Sequence, residues 1–269
     1  MIGARMSSVG KLLVIPDAHA HPEYDNDRFT WLGRFVMDTR PDVIVCLGDW
    51  ADMPSLSSYD KGTRGFEGRR YRRDIDAAVD AQEKFFEPIK AHNRRKAKHK
   101  EKQYKPRMVM TLGNHEDRIN RVTNSSPELH GAIGIEDLRF EEFGWETYPY
   151  QIPFHYLGIS FCHAFATGIS GRPISGVNHA RALITKLHSS AVVGHSHLVD
   201  WAEGARVDGT KIFGLVAGCY SHPDQVEGWN LATEHLWWRG VVEICDLDGE
   251  GYYDSIQHIT MRKIKREYA

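Results

Sequence analysis

Short apolar runs that stop abruptly at polar residues recur along the first two-thirds of the chain. Leu12-Leu13-Val14-Ile15-Pro16 leads into Asp17-Ala18-His19, and Val43-Ile44-Val45-Cys46-Leu47 into Gly48-Asp49-Trp50-Ala51-Asp52. Met108-Val109-Met110-Thr111-Leu112 leads into Gly113-Asn114-His115-Glu116, Ile159-Ser160-Phe161-Cys162 into His163, and Ala191-Val192-Val193 into Gly194-His195-Ser196-His197. Runs bounded in this way predict buried strands meeting loops. Between the first two, Phe29, Leu32, Phe35 and Val36 recur at helical spacing, with Asp27 as N-cap and Pro41 as the stop. Strand, helix and strand in this order favour parallel pairing in α/β layers.

Further along, Ile75, Ala78, Val79, Phe85, Phe86 and Ile89 share one helical face. A helix is expected to start within residues 114–121 and to break at Asn124-Ser125-Ser126-Pro127, with another short one at 135–143. Two strand pieces follow within 148–165, then a helix through Ala180, Leu183, Ile184 and Leu187. Strands are expected at 212–217, 241–245 and 252–259, the last two joined by a hairpin turn at 246–251. The polar stretch 55–73, with glycines at 62, 65 and 68, reads as a mobile loop over the strand ends, and Lys263, Lys265 and Arg266 as a solvated tail. The glycines of 168–176 match neither a P-loop nor a dinucleotide fingerprint, which predicts flexibility rather than phosphate cradling. Without repeats or long linkers, the expectation is one domain over 1–269 with a basic insertion at about 55–107.

Charge sharpens that insertion. Residues 61–107 hold 16 of the 34 Lys and Arg but only 7 of the 36 acids, about +9 against −11 for the rest, which suggests a local anionic partner. No apolar run approaches the roughly 18–20 residues of a membrane helix, so no membrane partner is expected. Residues 1–6 lack a signal-type apolar region and read as a loose tail. Cysteines at 46, 162, 219 and 245 show no C-x-x-C spacing and read as reduced core residues, consistent with a cytoplasmic location.

The polar residues at the strand ends carry the chemistry. Asp17, His19, Asp49, Asn114, His163, His195 and His197 are oxygen and imidazole ligands gathered at five strand ends. A mononuclear site needs three or four protein ligands, so this larger set suggests two ions sharing a carboxylate. Such ligands suit Mn²⁺, Fe or Zn²⁺, and the absence of cysteine argues against structural zinc. Two cations about 3.5–4 Å apart lower the pKa of a bridging water and clamp a phosphoryl group for in-line displacement.

As an ordered set, Asp17-x-His19, Gly48-Asp49-x-x-Asp52, Gly113-Asn114-His115-Glu116, His163 and Gly194-His195-Ser196-His197 closely resemble the calcineurin-like metallophosphoesterase superfamily, over residues 12–197 and more loosely beyond. The resemblance implies a four-layer α/β/β/α sandwich of two mixed β-sheets flanked by helices. It implies one divalent ion on Asp17, His19, Asp49 and His197 and a second on Asp49, Asn114, His163 and His195, with Mn²⁺ preferred and Fe, Zn²⁺, Ni²⁺ or Mg²⁺ as alternatives. His115 matches the family's catalytic histidine, with Glu116 as its orienting partner, and Asp52 would support the loop carrying Asp49. Two departures stand out. His163 is followed by Ala164 where many relatives have glycine, tolerable unless the backbone needs positive φ. Asp52 is followed by Met53-Pro54, so the phosphate-gripping arginine of the Ser/Thr protein phosphatases is absent, and the motif looks more like the diesterase and nuclease branches.

The expectation is therefore metal-dependent hydrolysis of a phosphodiester, with nucleic acid or a nucleotide as substrate. Arg94, Arg95, Lys96 and Lys98 are candidate phosphate contacts, although a charge run alone reads as a solvated helix end. Phe66, Tyr71 and Tyr104 are candidate base stackers or local packing, and His21 and His222 candidate substrate-side groups. The alternatives are a phosphomonoesterase, a small or cyclic nucleotide diesterase, and a non-catalytic scaffold, which the intact ligand set and His115 argue against.

Overall fold

The computed structural model describes residues 9–225 and 234–269; the expected N-terminal tail lies outside the described residues. Strands β1 (Val9–Ile15), β2 (Val43–Cys46) and β3 (Arg107–Thr111) pair in parallel, and β4 (Glu146–Tyr148) continues the parallel set. On the other side of β1, β10 (Gly240–Leu247) and β11 (Ser255–Thr260) add antiparallel, giving the order β11-β10-β1-β2-β3-β4. A second sheet contains β5 (Phe154–Tyr156), β6 (Ile159–Cys162), β7 (Ser190–Val193), β8 (Val199–Ala205) and β9 (Lys211–Ala217) in the order β5-β6-β7-β9-β8. Its centre, β6-β7-β9, is parallel and its edges are antiparallel.

Side-chain alternation explains the layers. Leu12, Val14, Val43, Val45 and Val109 of the first sheet meet Phe161, Val192, Phe213 and Leu215 of the second in one apolar cluster. The intervening residues Leu13, Ile15, Ile44, Cys46, Met108 and Met110 face α1 (Asp27–Thr39), α2 (Tyr71–Lys98) and α6 (Met261–Tyr268). Cys162, Ala191, Val193 and Val216 face α5 (His179–Leu187). Strands covered on both faces must be apolar throughout, which is why they read as continuous runs rather than alternating ones. Each fully buried Leu, Ile or Val contributes about 1.5–3 kcal/mol. The result is the expected α/β/β/α sandwich of two mixed sheets, with the C-terminal ends of β1, β2, β3, β6 and β7 carrying the polar loops.

Five elements differ from the sequence reading, among them β4, which lies ahead of the two strand pieces expected within 148–165. α2 is 28 residues long and absorbs the basic run 94–98 as its last turns. It packs so closely on α1 that a Cβ at Gly33 would sit 2.2 Å from the Phe85 carbonyl oxygen. The stretch 55–73 holds two 3₁₀ turns, Pro54–Leu56 and Arg64–Phe66, ahead of that helix. The expected solvated tail is α6, which buries Met261 and Ile264 and places the Tyr268 hydroxyl 2.6 Å from Asp38 Oδ2. β8 was not foreseen at all; it is an edge strand with one face largely in solvent. Two shorter helices, α3 (Asp117–Ser125) and α4 (Phe140–Phe143), complete the chain, and no described helix is long and apolar enough to cross a membrane.

Candidate metal centre

The loops after β1, β2 and β3 are bound to one another before any ligand is considered. The His19 N–H donates to the Asp49 carbonyl (2.8 Å), and the buried Arg28 guanidinium donates to the carbonyl oxygens of Ala18 (2.9 Å), His19 (3.1 Å) and Tyr220 (3.1 Å). Burial brings the Arg28 pKa down to about 10. Glu116 is fully buried, and its carboxylate accepts the backbone N–H groups of Asp49 (2.9 Å), Ala51 (2.9 Å) and Gly113 (2.7 Å). Glu116 is therefore not the partner of His115, as the sequence had suggested: both its oxygens are committed to clamping the Asp49 loop to the Gly113 loop. The partner of His115 is Asp52. His115 Nδ1 lies 2.6 Å from the Asp52 carbonyl oxygen and 2.9 Å from Oδ1.

Asp17, His19, Asp49, His163 and His197 are almost completely buried and converge, joined by Asn114 and His195. His19 Nε2 and His197 Nε2 face each other at 3.1 Å, and Asp17 Oδ2 lies 3.2 Å from His197 Nε2. On the other side, His163 Nε2 lies 2.9 Å from Asn114 Oδ1, 3.2 Å from His195 Nδ1 and 3.3 Å from Asp49 Oδ2. Asp49 Oδ2 is also 3.9 Å from His19 Nε2, so one carboxylate oxygen lies between the two groups. Asp49 Oδ1 is fixed separately by the His115 N–H at 2.8 Å.

The proton inventory tests whether a cation fits here. His19 Nδ1 faces Asp52 Oδ1 at 2.9 Å, and His163 Nδ1 faces the Leu47 carbonyl at 2.9 Å. These partners only accept, so in a neutral ring each Nδ1 holds the proton and each Nε2 presents a lone pair. Those lone pairs point at further ligand atoms, His197 Nε2, Asn114 Oδ1 and Asp49 Oδ2, of which the two oxygens only accept. Asp17 Oδ1 is buried without a hydrogen-bond partner among the described residues. Acceptors converging on acceptors in a dry site call for protons or cations between them, and three Asp/His groups here have ligand atoms close enough to share an ion.

Electrostatics agree. Burial works against ionised Asp49, but the charges of His115, His163 and His19 and the His115 N–H outweigh it and hold the carboxyl far below its usual range. Burial also disfavours charge on His19, yet the bond to Asp52 and the charges of Asp52, Asp49 and Asp17 push it up to about 9. His195, desolvated and beside His163, is pushed down to about 4 and stays a neutral donor of its lone pair.

The backbone is bent to serve this geometry. His19, Asp49, His195 and His197 all have positive φ, between 46° and 67°, a conformation that costs ordinary residues of order 1 kcal/mol or more. Gly194 is required because a Cβ there would lie 2.0 Å from Asp17 Oδ1; Gly113 stands in the same relation to Asp49 Oδ1. Ala164 is not among the positive-φ residues, so its departure from glycine is accommodated.

A cavity of about 300 Å³ opens over the cluster, lined by Asp49, Asn114, His115, His195 and His197 and walled by Ser57, Tyr59 and Arg118. Arg118 was missed in the sequence. Its signal was its place three residues after His115, one helical turn on. Its guanidinium donates to the carbonyls of Asp52 (2.9 Å) and Met53 (3.1 Å) and lies 3.0 Å from His115 Nε2. A polar chamber of about 120 Å³ adjoins through Ser57 and Arg118; His21 lines it, 3.6 Å from Asp52 Oδ2. His222 sits just outside, stacked on Tyr24 at 5.1 Å.

Arg94, Arg95, Lys96 and Lys98 are not brought to this site. Asp74 near the start of α2 accepts from the Ser55 N–H beside the cleft, whereas Arg94 lies 20 residues on, about 30 Å away at 1.5 Å per residue. Neighbouring Asn93 bonds Tyr104, whose hydroxyl donates to Pro41 just before β2, at the opposite end of the sheet from the ligands. Tyr104 and Tyr71, the latter bonded to Asp137 at 2.7 Å, are packing residues rather than base stackers. Phe66 is likewise local, under the Arg69 guanidinium.

Comparison with known proteins bears on the same residues. Mycobacterium phage L5 "Gene 54 protein" is 23% identical over 194 residues, 70% of this chain and 69% of that protein. Among solved structures, a conserved uncharacterised protein described as a predicted phosphoesterase from Streptococcus pneumoniae TIGR4 aligns over 96% of this chain and 92% of its own, at 11% identity and a TM-score of 0.37. Yfce, a phosphoesterase from E. coli, aligns over 93% and 100%, at 12% identity and a TM-score of 0.35. The family model for calcineurin-like phosphoesterases matches residues 10–240, from the start of β1 to the start of β10, and so takes in every ligand loop described above. The chain belongs to the calcineurin-like phosphoesterase family and is a metal-dependent phosphoesterase.

Proposed function

We propose that this phosphoesterase hydrolyses phosphodiesters of nucleic acid or nucleotides at a centre of two divalent ions, Mn²⁺ foremost, within one catalytic domain working in the cytoplasm. The observation that carries the reading is the position of Asp49 Oδ2, 3.3 Å from His163 Nε2 and 3.9 Å from His19 Nε2, between two sets of ligands. Asp17, His19 and His197 would hold one ion and Asn114, His163 and His195 the other, with Asp49 common to both. When bound, the ions supply charge stabilisation at the phosphoryl group and an activated water.

The chain's own residues do the rest. Asp52 fixes His115 through Nδ1, so Nε2 is the nitrogen turned toward Asp49 (3.8 Å) and the cleft. With the Arg118 guanidinium, 3.0 Å from this nitrogen, turned to the phosphate, Nε2 would be free to hydrogen-bond a phosphoryl oxygen or deliver a proton to the departing one. A diester is favoured over a monoester by the cleft wall. Among the described residues, Arg118 is the sole Lys or Arg lining it, and two backbone carbonyls already take part of its donor capacity. A monoester dianion would ask for more cationic partners; a diester brings a single negative charge and a second arm. Tyr59, 85% exposed at the rim, offers that arm an aromatic face on which a base can stack. The free, mostly buried cysteines suit a reducing compartment.

The test is a panel of bis-p-nitrophenyl phosphate, p-nitrophenyl phosphate, single- and double-stranded DNA, RNA and cyclic nucleotides, with Mn²⁺ and other divalent ions, for wild type and His115→Ala. Metal-dependent diester cleavage is expected, falling about 10²–10⁴-fold in the variant. Preferential turnover of the monoester would overturn the substrate class. Equal activity in both proteins would remove His115 from the mechanism, and no turnover with any metal would leave a scaffold.

A further inference from the structure

The end of the molecule opposite the metal centre carries a concentration of charge that catalysis in the cleft does not use. Residues 71–89 of α2 hold three basic and five acidic residues, whereas 90–107, the last turns of the helix and the loop beyond, hold nine Lys and Arg and one acid, Glu101. The change of sign falls within one helix. In the first part the charges are neutralised locally: Arg72 pairs with Asp76, and Lys84 with Asp27 and Asp80. In the second, Arg94 meets Glu87, Lys96 meets Glu101 and Arg107 meets Glu146. Arg95, Lys98, Lys100, Lys102 and Lys105 are exposed and meet no carboxylate among the described residues. The helix dipole accounts for Arg95 and Lys98 in the last turn of α2, but not for Lys100, Lys102 and Lys105 beyond it.

The cluster also has a shaped neighbour. A groove of about 510 Å³ between α1 and α2 is lined by Arg34, Arg40, His92 and Arg95, with Asp38 its one acid. Burial and the charges of Arg40, Arg95 and Lys96 hold His92 below its usual pKa, a local sign of positive potential. Residues 90–107 contribute no exposed large apolar side chain. A membrane surface is thereby disfavoured, because interfacial binding needs apolar side chains to bury among the lipids. What remains is an anionic ligand extended enough to meet exposed cations from Arg95 to Lys105.

We propose that this face, Arg95 to Lys105 with the Arg34–Arg40 groove, docks the sugar-phosphate backbone of nucleic acid and tethers a polymeric substrate whose scissile bond lies in the distant cleft. The proposal rests on the diesterase reading above. Contacts are to phosphate, so binding is independent of sequence and strongly dependent on salt. The span of about 30 Å between face and cleft corresponds to about nine base pairs at 3.4 Å each, so only oligonucleotides of roughly that length or longer reach both.

The test uses full-length wild type and the variant Arg95→Gln/Lys98→Gln/Lys100→Gln/Lys102→Gln, with Lys98→Arg/Lys100→Arg/Lys102→Arg as the charge-preserving control. Fluorescence anisotropy with 6- to 40-nucleotide single and double strands is read against salt, alongside kcat/KM for bis-p-nitrophenyl phosphate. Removing four phosphate contacts is expected to flatten the slope of log K against log salt by about 3–4 and to weaken long-oligonucleotide binding at least tenfold. The small diester and the shortest strands are expected to be unaffected, and the arginine control to bind as wild type. Unchanged affinity and slope in the glutamine variant would overturn the proposal, as would loss of binding in the arginine control. So would binding to phosphatidylserine vesicles that the same substitutions abolish while oligonucleotide binding persists. Salt-dependent binding without cleavage of nucleic acid would instead sink the diesterase reading and leave the docking face standing.

Discussion

Glu116→Gln isolates the difference between clamping the ligand loops and orienting a catalytic histidine. The wild-type carboxylate accepts three buried backbone N–H groups, Oε2 taking those of Asp49 and Gly113 and Oε1 that of Ala51. Glutamine can place its oxygen at only one of those positions. With oxygen at the Oε2 position two bonds survive as neutral ones, about half as strong as charge-assisted bonds. The third becomes an amide N–H opposed to the Ala51 N–H, and an unsatisfied buried donor costs roughly 1–3 kcal/mol. Against this, burial and the charge of Asp49 raise the Glu116 pKa, so deleting its charge returns part of the loss. The net expectation is a destabilisation of about 2–4 kcal/mol, read by urea denaturation of the metal-free protein, with weaker metal binding by calorimetry because Asp49 rides on the released loop. The pH profile of kcat in metal-saturated enzyme should keep its shape, since His115 is held by Asp52. A variant as stable as wild type, with unchanged metal affinity but a shifted pH profile, would refute the clamp and restore Glu116 as the partner of His115.

Asp52→Asn weakens the partner common to His19 Nδ1 and His115 Nδ1, so metal affinity should fall about 10–100-fold and kcat with it; unchanged metal titrations would contradict the geometry. Gly194→Ala puts a methyl 2.0 Å from Asp17 Oδ1, and elemental analysis should find metal lost from a protein whose circular dichroism is unchanged. Arg118→Met should lower kcat/KM for bis-p-nitrophenyl phosphate at least tenfold while leaving metal content intact, and full activity would exclude Arg118 from substrate contact. Asp74 titrates the fold itself: burial pushes its pKa up to about 6 from 3.8, so ionisation destabilises the native state and stability from this group is lost as pH rises through 6. Asp74→Asn should therefore stabilise by up to about 3 kcal/mol at pH 8 and by little near pH 4; a pH-independent difference in denaturation would count against it.

The seven candidate ligands were legible because each ends an apolar run, and strands buried on both faces cannot hide such runs. The partners of those ligands were not. Glu116 follows His115 in sequence, and adjacency suggested a pair, but its carboxylate is used by backbone N–H groups that carry no sequence signature. Asp52 serves His115 across 63 residues, a relation set by two adjacent strand ends rather than by spacing. α6 was hidden because five of its eight residues are charged, leaving Met261 and Ile264 too sparse to reveal the helix. α2 ran on through the basic stretch because Lys, Arg and Ala are good helix formers whatever their charge. β8 was missed because its face is half polar, as an edge strand's must be when one side meets water.

Asp17, His19, Asp49 and Asn114 follow strands of one sheet, while His163, His195 and His197 follow strands of the other. Ions bound among them would rivet two layers that otherwise meet through apolar side chains and a few hydrogen bonds, such as His163 to the Leu47 carbonyl. A chelator would loosen the sandwich at this one margin, letting the layers part like the free edge of a book while the far margin stays bound.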